Sequence, residues 1–399
     1  MNFELTDDQI QVRDMVREFA RREVAPHIQQ WDAKGEYHRE IIEKMGEAGF
    51  LGLPIPEEYG GLGLDYVSLA LACDELEYVD TSLRVVLSVH VGLNSLALLQ
   101  WGTEEQKQRW LIPQATGEKI ATFGLTEPGA GSDAGSIATT AVRDGDSYIL
   151  NGNKMWISLA DVADHFLIFA SVDRSLKHRG LVAFVVERGM VGLTTGTIKG
   201  KLGVRAGNTG EIAFNNVRVP IENRIGEEGE GFKIAMSCID QGRFTVAAGA
   251  VGLTRASLDA SVAYANQRET FGQKIGRHQL VQQMISNMVL GHETSKLLVM
   301  QAAELKNRGI RNTKETSLAK WHACDVALKS ADDAVQIHGS YGFSNEYPVE
   351  RFLRNARGAV IYEGTREVHT ILQAEYALGY REDKPLSHPQ LPASGFEEE

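Results

Sequence analysis

Near the carboxyl end of the chain, Ile361-Tyr362-Glu363-Gly364-Thr365-Arg366-Glu367-Val368 puts a carboxylate directly before a glycine at the head of a helical segment. Glycine frees the backbone for a sharp turn, and Thr365 can cap a helix running through Val368, Ile371 and Leu372. A carboxylate held out on such a turn is a candidate general base; a solvated Glu in a helix-entry loop would have the same local sequence. A second segment, Phe123-Gly124-Leu125-Thr126-Glu127-Pro128-Gly129-Ala130-Gly131-Ser132-Asp133-Ala134-Gly135-Ser136, surrounds Ser132 with small residues. These would let backbone N–H groups approach a phosphate, while the Thr126 and Ser132 hydroxyls can donate to an anionic or heterocyclic ligand. A Gly-rich turn joining helix to strand fits the composition equally well. No Gly-Lys-Ser/Thr follows, which excludes a Walker A loop, and the spacing and surroundings do not suit a dinucleotide fingerprint.

The elements that must position these residues fall into three textures. Residues 1–120 carry apolar residues at helical spacing, as in Val12, Met15, Val16 and Phe19, with breaks at Pro26, Leu53-Pro54-Ile55-Pro56 and Gly60-Gly61-Leu62-Gly63. This predicts an α-helical domain, and Thr6 with Gln9 reads as a capping box at its start. Residues 121–228 turn to short β-branched and aromatic runs such as Phe166-Leu167-Ile168-Phe169 and Leu181-Val182-Ala183-Phe184-Val185-Val186. A barrel or sandwich of antiparallel strands is expected, with Asn151-Gly152 as a hairpin signal. Residues 229–380 return to helix over about Gly231 to Asn266, Gln279 to Lys306, Lys314 to Ile337 and Thr365 to Leu378, which suits a four-helix bundle. Residues 381–399 hold three of the ten prolines and three final glutamates, and read as a tail or a partner-wrapping arm.

At 399 residues, with 43% hydrophobic and 24% charged residues, the composition is that of a soluble globular protein. A net charge of -12, with no Lys/Arg run longer than Arg21-Arg22, speaks against nucleic acid as a partner. The amino terminus is charged where a signal peptide needs an apolar core. No uninterrupted apolar run reaches the roughly 20 residues of a membrane span, so a cytoplasmic location without a membrane partner is expected. Cys73, Cys238 and Cys324 are far apart and read as buried thiols. No His lies at metal-ligand spacing from Cys or carboxylates, so no metal is expected.

Six motifs occur in a telling order: Gly124 to Asp133, Lys154-Met155-Trp156-Ile157-Ser158, Lys201-Leu202-Gly203-Val204-Arg205, Arg268-Glu269-Thr270-Phe271-Gly272, Gln336-Ile337-His338-Gly339-Ser340-Tyr341-Gly342-Phe343 and Tyr362-Glu363-Gly364-Thr365. From about Leu5 to Gly379 the chain resembles the acyl-CoA dehydrogenase family. The resemblance implies a helical domain, a β-domain and a four-helix bundle, in a homotetramer with one FAD per subunit. It implies flavin contacts from Phe123, Leu125, Thr126, Gly131, Ser132, Trp156 and Ser158, with Thr365 and Glu367 also at the cofactor. Arg268 and Phe271 resemble the pair that reaches a neighbouring subunit's FAD, and Gln336 with Gly339 the loop receiving the adenosine end. Ser340 replaces the usual second glycine there, a change that the family pattern tolerates.

The same resemblance implies that Glu363 removes the α-proton of an acyl-CoA thioester while hydride leaves Cβ, with electron-transferring flavoprotein as the expected partner. Burial should raise its pKa, and its backbone N–H should help hold the thioester oxygen. Some members place the base on the long helix after the β-domain; Gly242 occupies that position here. Asp240 and Arg243 are expected either to assist CoA binding or to form a helix-packing salt bridge. Ser88, Ser132, Tyr362 and Gly364 complete the expected substrate contacts. Arg84 resembles the arginine with which glutaryl-CoA dehydrogenases hold a distal carboxylate. A buried Arg without an anion would be costly, so a dicarboxylic substrate would satisfy it; Glu77, seven residues back on the same helical face, is the alternative partner. Tyr362 and Glu77 lean toward the decarboxylating type that yields crotonyl-CoA, whereas Val85 departs from it. Short-, medium- or branched-chain fatty acyl-CoA oxidation, and a non-redox acyl-CoA desulfinase, are the other readings.

Overall fold

The computed structural model describes residues 4–385, 388–390 and 393. Its first helix, α1 (Asp7–Phe19), opens on the expected capping box: Gln9 N donates to Thr6 Oγ1 at 3.3 Å, and Thr6 N donates to Gln9 Oε1 at 3.0 Å. Two short helices, α2 (Ile28–Lys34) and α3 (Arg39–Glu47), lead to the buried pair α4 (Tyr66–Val79) and α5 (Thr81–Trp101). Asp80 ends one and starts the other, its Oδ1 accepting from Ser82 N at 2.9 Å and its Oδ2 from Asn355 Nδ2 at 3.0 Å. The 21 residues of α5 are long and apolar enough to cross a membrane, yet all of its most apolar window lies inside this fold. Interruptions at Arg84 and His90 keep this run from standing out in the sequence as a span. Its middle, Leu87–Ser95, is wound as a π-helix, a geometry that often marks functional segments.

Eight strands form the central sheet: β1 (Ala121–Gly124), β2 (Thr140–Asp144), β3 (Ser147–Ser158), β4 (His165–Ser171), β5 (Leu181–Glu187), β6 (Leu193–Thr197), β7 (Thr209–Pro220) and β8 (Arg224–Ile225). The path runs β6-β7-β3-β2-β4-β5-β8, with β1 beside β4. Most pairs are antiparallel, as expected, but β4 runs parallel to both β1 and β2. Asn151-Gly152 is not the hairpin turn. The chain reverses at Gly145-Asp146, with Gly145 at φ 64°, while Asn151 lies within β3 opposite a bulge. There the ladder slips, and Asn216 at φ 52° donates its backbone N–H to Asn151 Oδ1 at 2.8 Å. A turn-prone residue thus serves an unpaired backbone group inside a sheet. A second slip falls at Trp156, φ 63°.

The bundle comprises α6 (Gly231–Gln267), α7 (Gln279–Asn307), α8 (Thr313–His338), α9 (Val349–Ala359) and α10 (Arg366–Ala377). The third of the expected long helices is followed by α9, which periodicity passed over because Pro348 and short loops bracket it. A two-strand ribbon, β9 (Glu269–Thr270) with β10 (Gln273–Lys274), links α6 to α7. α6 packs against α4, α7 and α8, so its small residues touch both helical domains. The described part of the tail lies back on its own chain: His388 O accepts from Gln100 Nε2 at 2.6 Å, and Gln390 Nε2 donates to Lys306 O at 3.0 Å. The three cysteines are free and buried.

Candidate active site

Glu363 stands between α9 and α10 on a turn that only strong contacts could hold. Its φ is 55° and that of Gly364 is 99°; a non-glycine residue in the left-handed region costs about 1 kcal/mol or more. Thr365 caps α10 by accepting from Val368 N. Arg243 Nε on α6 donates to Glu363 O at 3.2 Å, and Lys320 Nζ on α8 donates to Gly364 O at 2.7 Å. The turn therefore presents its carboxylate to α6, where Gly242 leaves the space: a Cβ there would fall 2.0 Å from Glu363 Oε2. The expected base and the vacant alternative position thus meet at one point. Oε2 is buried and has no hydrogen-bond partner among the described residues. Loss of water pushes the carboxyl up to about 7, against the pull of Arg84, Lys320 and Arg243.

Two turns further along α6, Gly249 makes room for a second charged group. A Cβ there would fall 2.0 Å from Glu77 Oε2 and 2.9 Å from Arg84 Nε. Arg84, 1% exposed, donates through Nε to Glu77 at 2.5 Å, through Nη1 to Ser88 Oγ at 3.0 Å and through Nη2 to Tyr362 Oη at 2.7 Å. Ser88 in turn meets Thr245 Oγ1 at 2.6 Å. Glu77 is thus the anion that Arg84 needs, and the cost of an unpaired guanidinium no longer argues for a dicarboxylic ligand. Burial alone would lower the Arg84 pKa, but the charge of Glu77 and its neighbours raises it, so it stays charged. Asp240 forms the helix-packing bridge with Arg243 at 3.0 Å and also accepts from Thr313 Oγ1 at 2.6 Å.

On the sheet side, a buried carboxylate knits the glycine-rich segment to β3. Glu127 takes Lys154 Nζ at 2.7 Å and the backbone N–H groups of Ala138 and Thr139 at 2.5 and 3.0 Å. Lys154 also donates to Leu125 O at 3.1 Å, and Met155 N donates to Thr126 O at 2.9 Å. Burial works to raise the Glu127 pKa, but Lys154 and the backbone donors bring it below the usual range; burial lowers Lys154 to about 8. The bulge at Trp156 turns its indole outward, 56% exposed. Ser132 is exposed, and Cβ atoms built on Gly129 and Gly131 would meet nothing within 4 Å. An open small-residue cradle beside an outward aromatic wall fits a flavin, with Leu125, Thr126, Ser158 and half-buried Phe123 close in sequence to both.

The remaining expected cofactor residues lie on the surface of the bundle, outside the Arg84–Glu363 network. Arg268 caps α6, Phe271 sits in the β9–β10 turn at φ 52° and 95% exposed, and Gln336 with Gly339 closes α8. Glu367 is exposed in the first turn of α10, its carboxyl held below the usual range by backbone N–H and Thr365. Sequence patterns assigned no role to Lys320, His369, Thr245 or Glu127. A lysine within Leu318-Ala319-Lys320, on a helical face that also carries Ala323, was the available signal for the first.

Known proteins are similar to this chain over nearly its full length. The acyl-CoA dehydrogenase N-terminal domain matches residues 6–118, the middle domain 122–217 and the C-terminal domain 229–378. Short-chain specific acyl-CoA dehydrogenase of Clostridium acetobutylicum is 43% identical over 372 residues, which cover 93% of this chain and 98% of that protein. Butyryl-CoA dehydrogenase of Megasphaera elsdenii superposes with a TM-score of 0.93 at 40% identity, over 95% of this chain and 100% of that one. Glutaryl-CoA dehydrogenase of Mycobacterium smegmatis in complex with FADH2 does so with a TM-score of 0.89 at 33% identity, over 94% and 95%. The chain belongs to the acyl-CoA dehydrogenase family, a family of flavoprotein oxidoreductases.

Three substitutions probe these contacts. Lys154→Met leaves Glu127 buried with backbone donors only and should cost about 3 kcal/mol in urea unfolding; adding Glu127→Gln should recover part of the loss. Gly242→Ala puts a methyl group into the Glu363 carboxylate. It should slow flavin reduction by about tenfold or more while leaving FAD content unchanged, as read by stopped-flow and the flavin-to-protein absorbance ratio.

Proposed function

We propose that this chain oxidises a short acyl-CoA thioester to the trans-2-enoyl-CoA, with Glu363 taking the α-proton. The observation that carries this is the Glu363 carboxylate itself, held on a strained turn against Gly242 with Oε2 unpartnered among the described residues. FAD, when bound, supplies the acceptor for the hydride leaving Cβ. An ordinary carboxylate is a poor base for a carbon acid; one raised to about 7 is better matched to that proton transfer and still ionised in good part at neutral pH. The Glu363 backbone N–H is assigned to the thioester oxygen, where negative charge develops. Arg243 and Asp240 are assigned to the CoA side of the cleft, with Ser132 and Gly364 along its walls.

Chain length follows from α6. Gly242 meets the base and Gly249 meets the Arg84–Glu77 pair; seven helical residues span about 10 Å. A buried ion pair, ringed by Ser88, Thr245 and Tyr362, is a polar floor that disfavours a long alkyl chain. One observation favours a second reading, a short dicarboxylic thioester such as glutaryl-CoA. Arg84 has five N–H donors, and Glu77, Ser88 and Tyr362 use three of them. A distal carboxylate could take the others, with or without loss of CO2. An acyl-CoA desulfinase would have no use for a raised base at 363.

FAD would be held by Leu125, Thr126, Ser132, Trp156 and Ser158, with Arg268, Phe271, Gln336 and Gly339 acting across a homotetramer interface. Exposed Leu280, Leu290 and Leu297 on α7, together with exposed Phe271 and Phe343, support self-association. Electron-transferring flavoprotein is the proposed electron acceptor and the cytoplasm the proposed location.

Anaerobic mixing with butyryl-CoA should bleach the flavin, and glutaryl-CoA should do so more slowly; a strict preference for glutaryl-CoA with CO2 release would move the assignment to the dicarboxylic reading. Glu363→Gln should retain FAD and thioester binding yet lose flavin reduction by about a thousandfold. Because the base works ionised and its pKa is raised, the wild-type reduction rate should climb with pH through about 7 and level off above it. A flat profile from about pH 5.5 to about pH 9 would remove Glu363 from the rate-determining proton transfer.

A further inference from the structure

We propose that Lys320 is the positioning residue of the catalytic turn: its ammonium grips the Gly364 carbonyl, sets the Glu363 carboxylate against Gly242 and favours its ionised form. The inference rests on the reading of Glu363 as the base. Lysines are almost never fully buried without a partner, and Lys320 is 1% exposed on α8. Among the described residues it forms no ion pair, and the carbonyl of Gly364, at 2.7 Å, is its acceptor. A buried ammonium there is a costly way to fill space, since Leu or Met would pack without desolvating a charge.

The neighbours on α8 and α10 complete a bracket. Ser317, one turn before Lys320 on the same face, meets His369 Nδ1 at 2.8 Å. His369 is fully buried, and burial together with Lys320 and Arg243 pushes it down to about 3, so it is neutral. Its Nε2 lies 3.0 Å from where a Cβ on Gly364 would be, and with φ at 99° the position favours glycine. The left-handed turn is thus over-determined from α6 by Arg243, from α8 by Lys320 and Ser317, and from α10 by Thr365 and His369.

Three cations pull on Glu363, Arg84 first and then Lys320 and Arg243. From α5 comes Arg84, neutralised by Glu77 of α4; from α6 comes Arg243, neutralised by Asp240. Tyr362 lies beside the base, Cys324 is on α8 with Lys320, and both are pushed up by burial and so stay protonated at neutral pH. Two of the three cations therefore have carboxylates of their own, and Lys320 has none among the described residues. Glu363 is the carboxylate that acts on its charge.

The test uses the FAD-loaded enzyme and butyryl-CoA, with flavin reduction followed across about pH 5.5 to 9 for Lys320→Met, Lys320→Gln and Lys320→Arg. Loss of the charge should move the rising limb of the profile upward by about one pH unit or more. Met should also lower the high-pH limiting rate about tenfold through the loosened turn. Gln, which can still donate to Gly364 O, should share the shift but keep more of the limiting rate, and Arg should keep the wild-type midpoint. If Met proves too unstable to load with FAD, the Gln and Arg profiles decide. An unmoved midpoint in Gln, with a lower melting temperature as the sole change, overturns the proposal and leaves Lys320 a packing residue. Wild-type reduction retained by Glu363→Gln would instead overturn the assignment of the base, and the two failures are read from different variants.

Discussion

Where the Glu363 carboxylate lies against α6, the helix presents no side chain, and a methyl group would fall 2.0 Å from Oε2. This close approach of a carboxylate to bare helical backbone is the constraint on which the site turns. It lets a raised base sit at the junction of the two helical domains, and it fixes what the rest of α6 can be. Gly249, on the same face, admits the Arg84–Glu77 pair in the same way. A single helix therefore sets both the position of the base and the distance to the polar floor. The cost is a helix poor in large side chains at its most buried stretch, Val246-Ala247-Ala248-Gly249-Ala250-Val251-Gly252. Packing on several sides offsets the weak propensity of glycine in a helix interior.

Much of the fold was legible because it rests on periodicity. The three textures, the capping box at Thr6 and the long helices α6, α7 and α8 follow from local pattern and end-signals. What misled were residues whose local preference serves a different neighbour. Asn151-Gly152 reads as a turn because both residues tolerate unusual backbone, and the structure uses that tolerance to accommodate a bulge on β7. Parallel pairing of β4 with β1 and β2 joins residues as far apart in the chain as Ala121 and His165 or Thr140 and Ser171, which no window of a few residues reports.

The site was legible in its motifs and illegible in its electrostatics. Glu363, Trp156 and Ser132 stand out by their surroundings in sequence, and Arg84 by its charge in an apolar helix. Whether that charge needed a ligand could not be read from one helix: Glu77 lies seven residues away, and only burial of both makes the pair a closed unit. Lys320 and His369 gave less still. They act on Gly364 O and on the space above Gly364, contacts made with backbone, and backbone contacts leave no complementary residue type to look for.

The two ends of the pocket are coupled through charge. Arg84 heads the groups that hold the Glu363 pKa down, opposed by loss of water. A neutral alkyl terminus at the floor leaves that pull intact, whereas a carboxylate terminus on Arg84 would offset it and add a like charge facing the base. Glu363 would then become a stronger base but a less ionised one. The same floor would thus tune the base differently for the two substrate classes, and Tyr362, which accepts a hydrogen bond from Arg84 and is adjacent in sequence to Glu363, links floor and base. Lys320 approaches the turn from α8 and bonds the Gly364 carbonyl rather than the floor. A site built this way holds one cation at the turn while the substrate sets the effect of the cation at the floor.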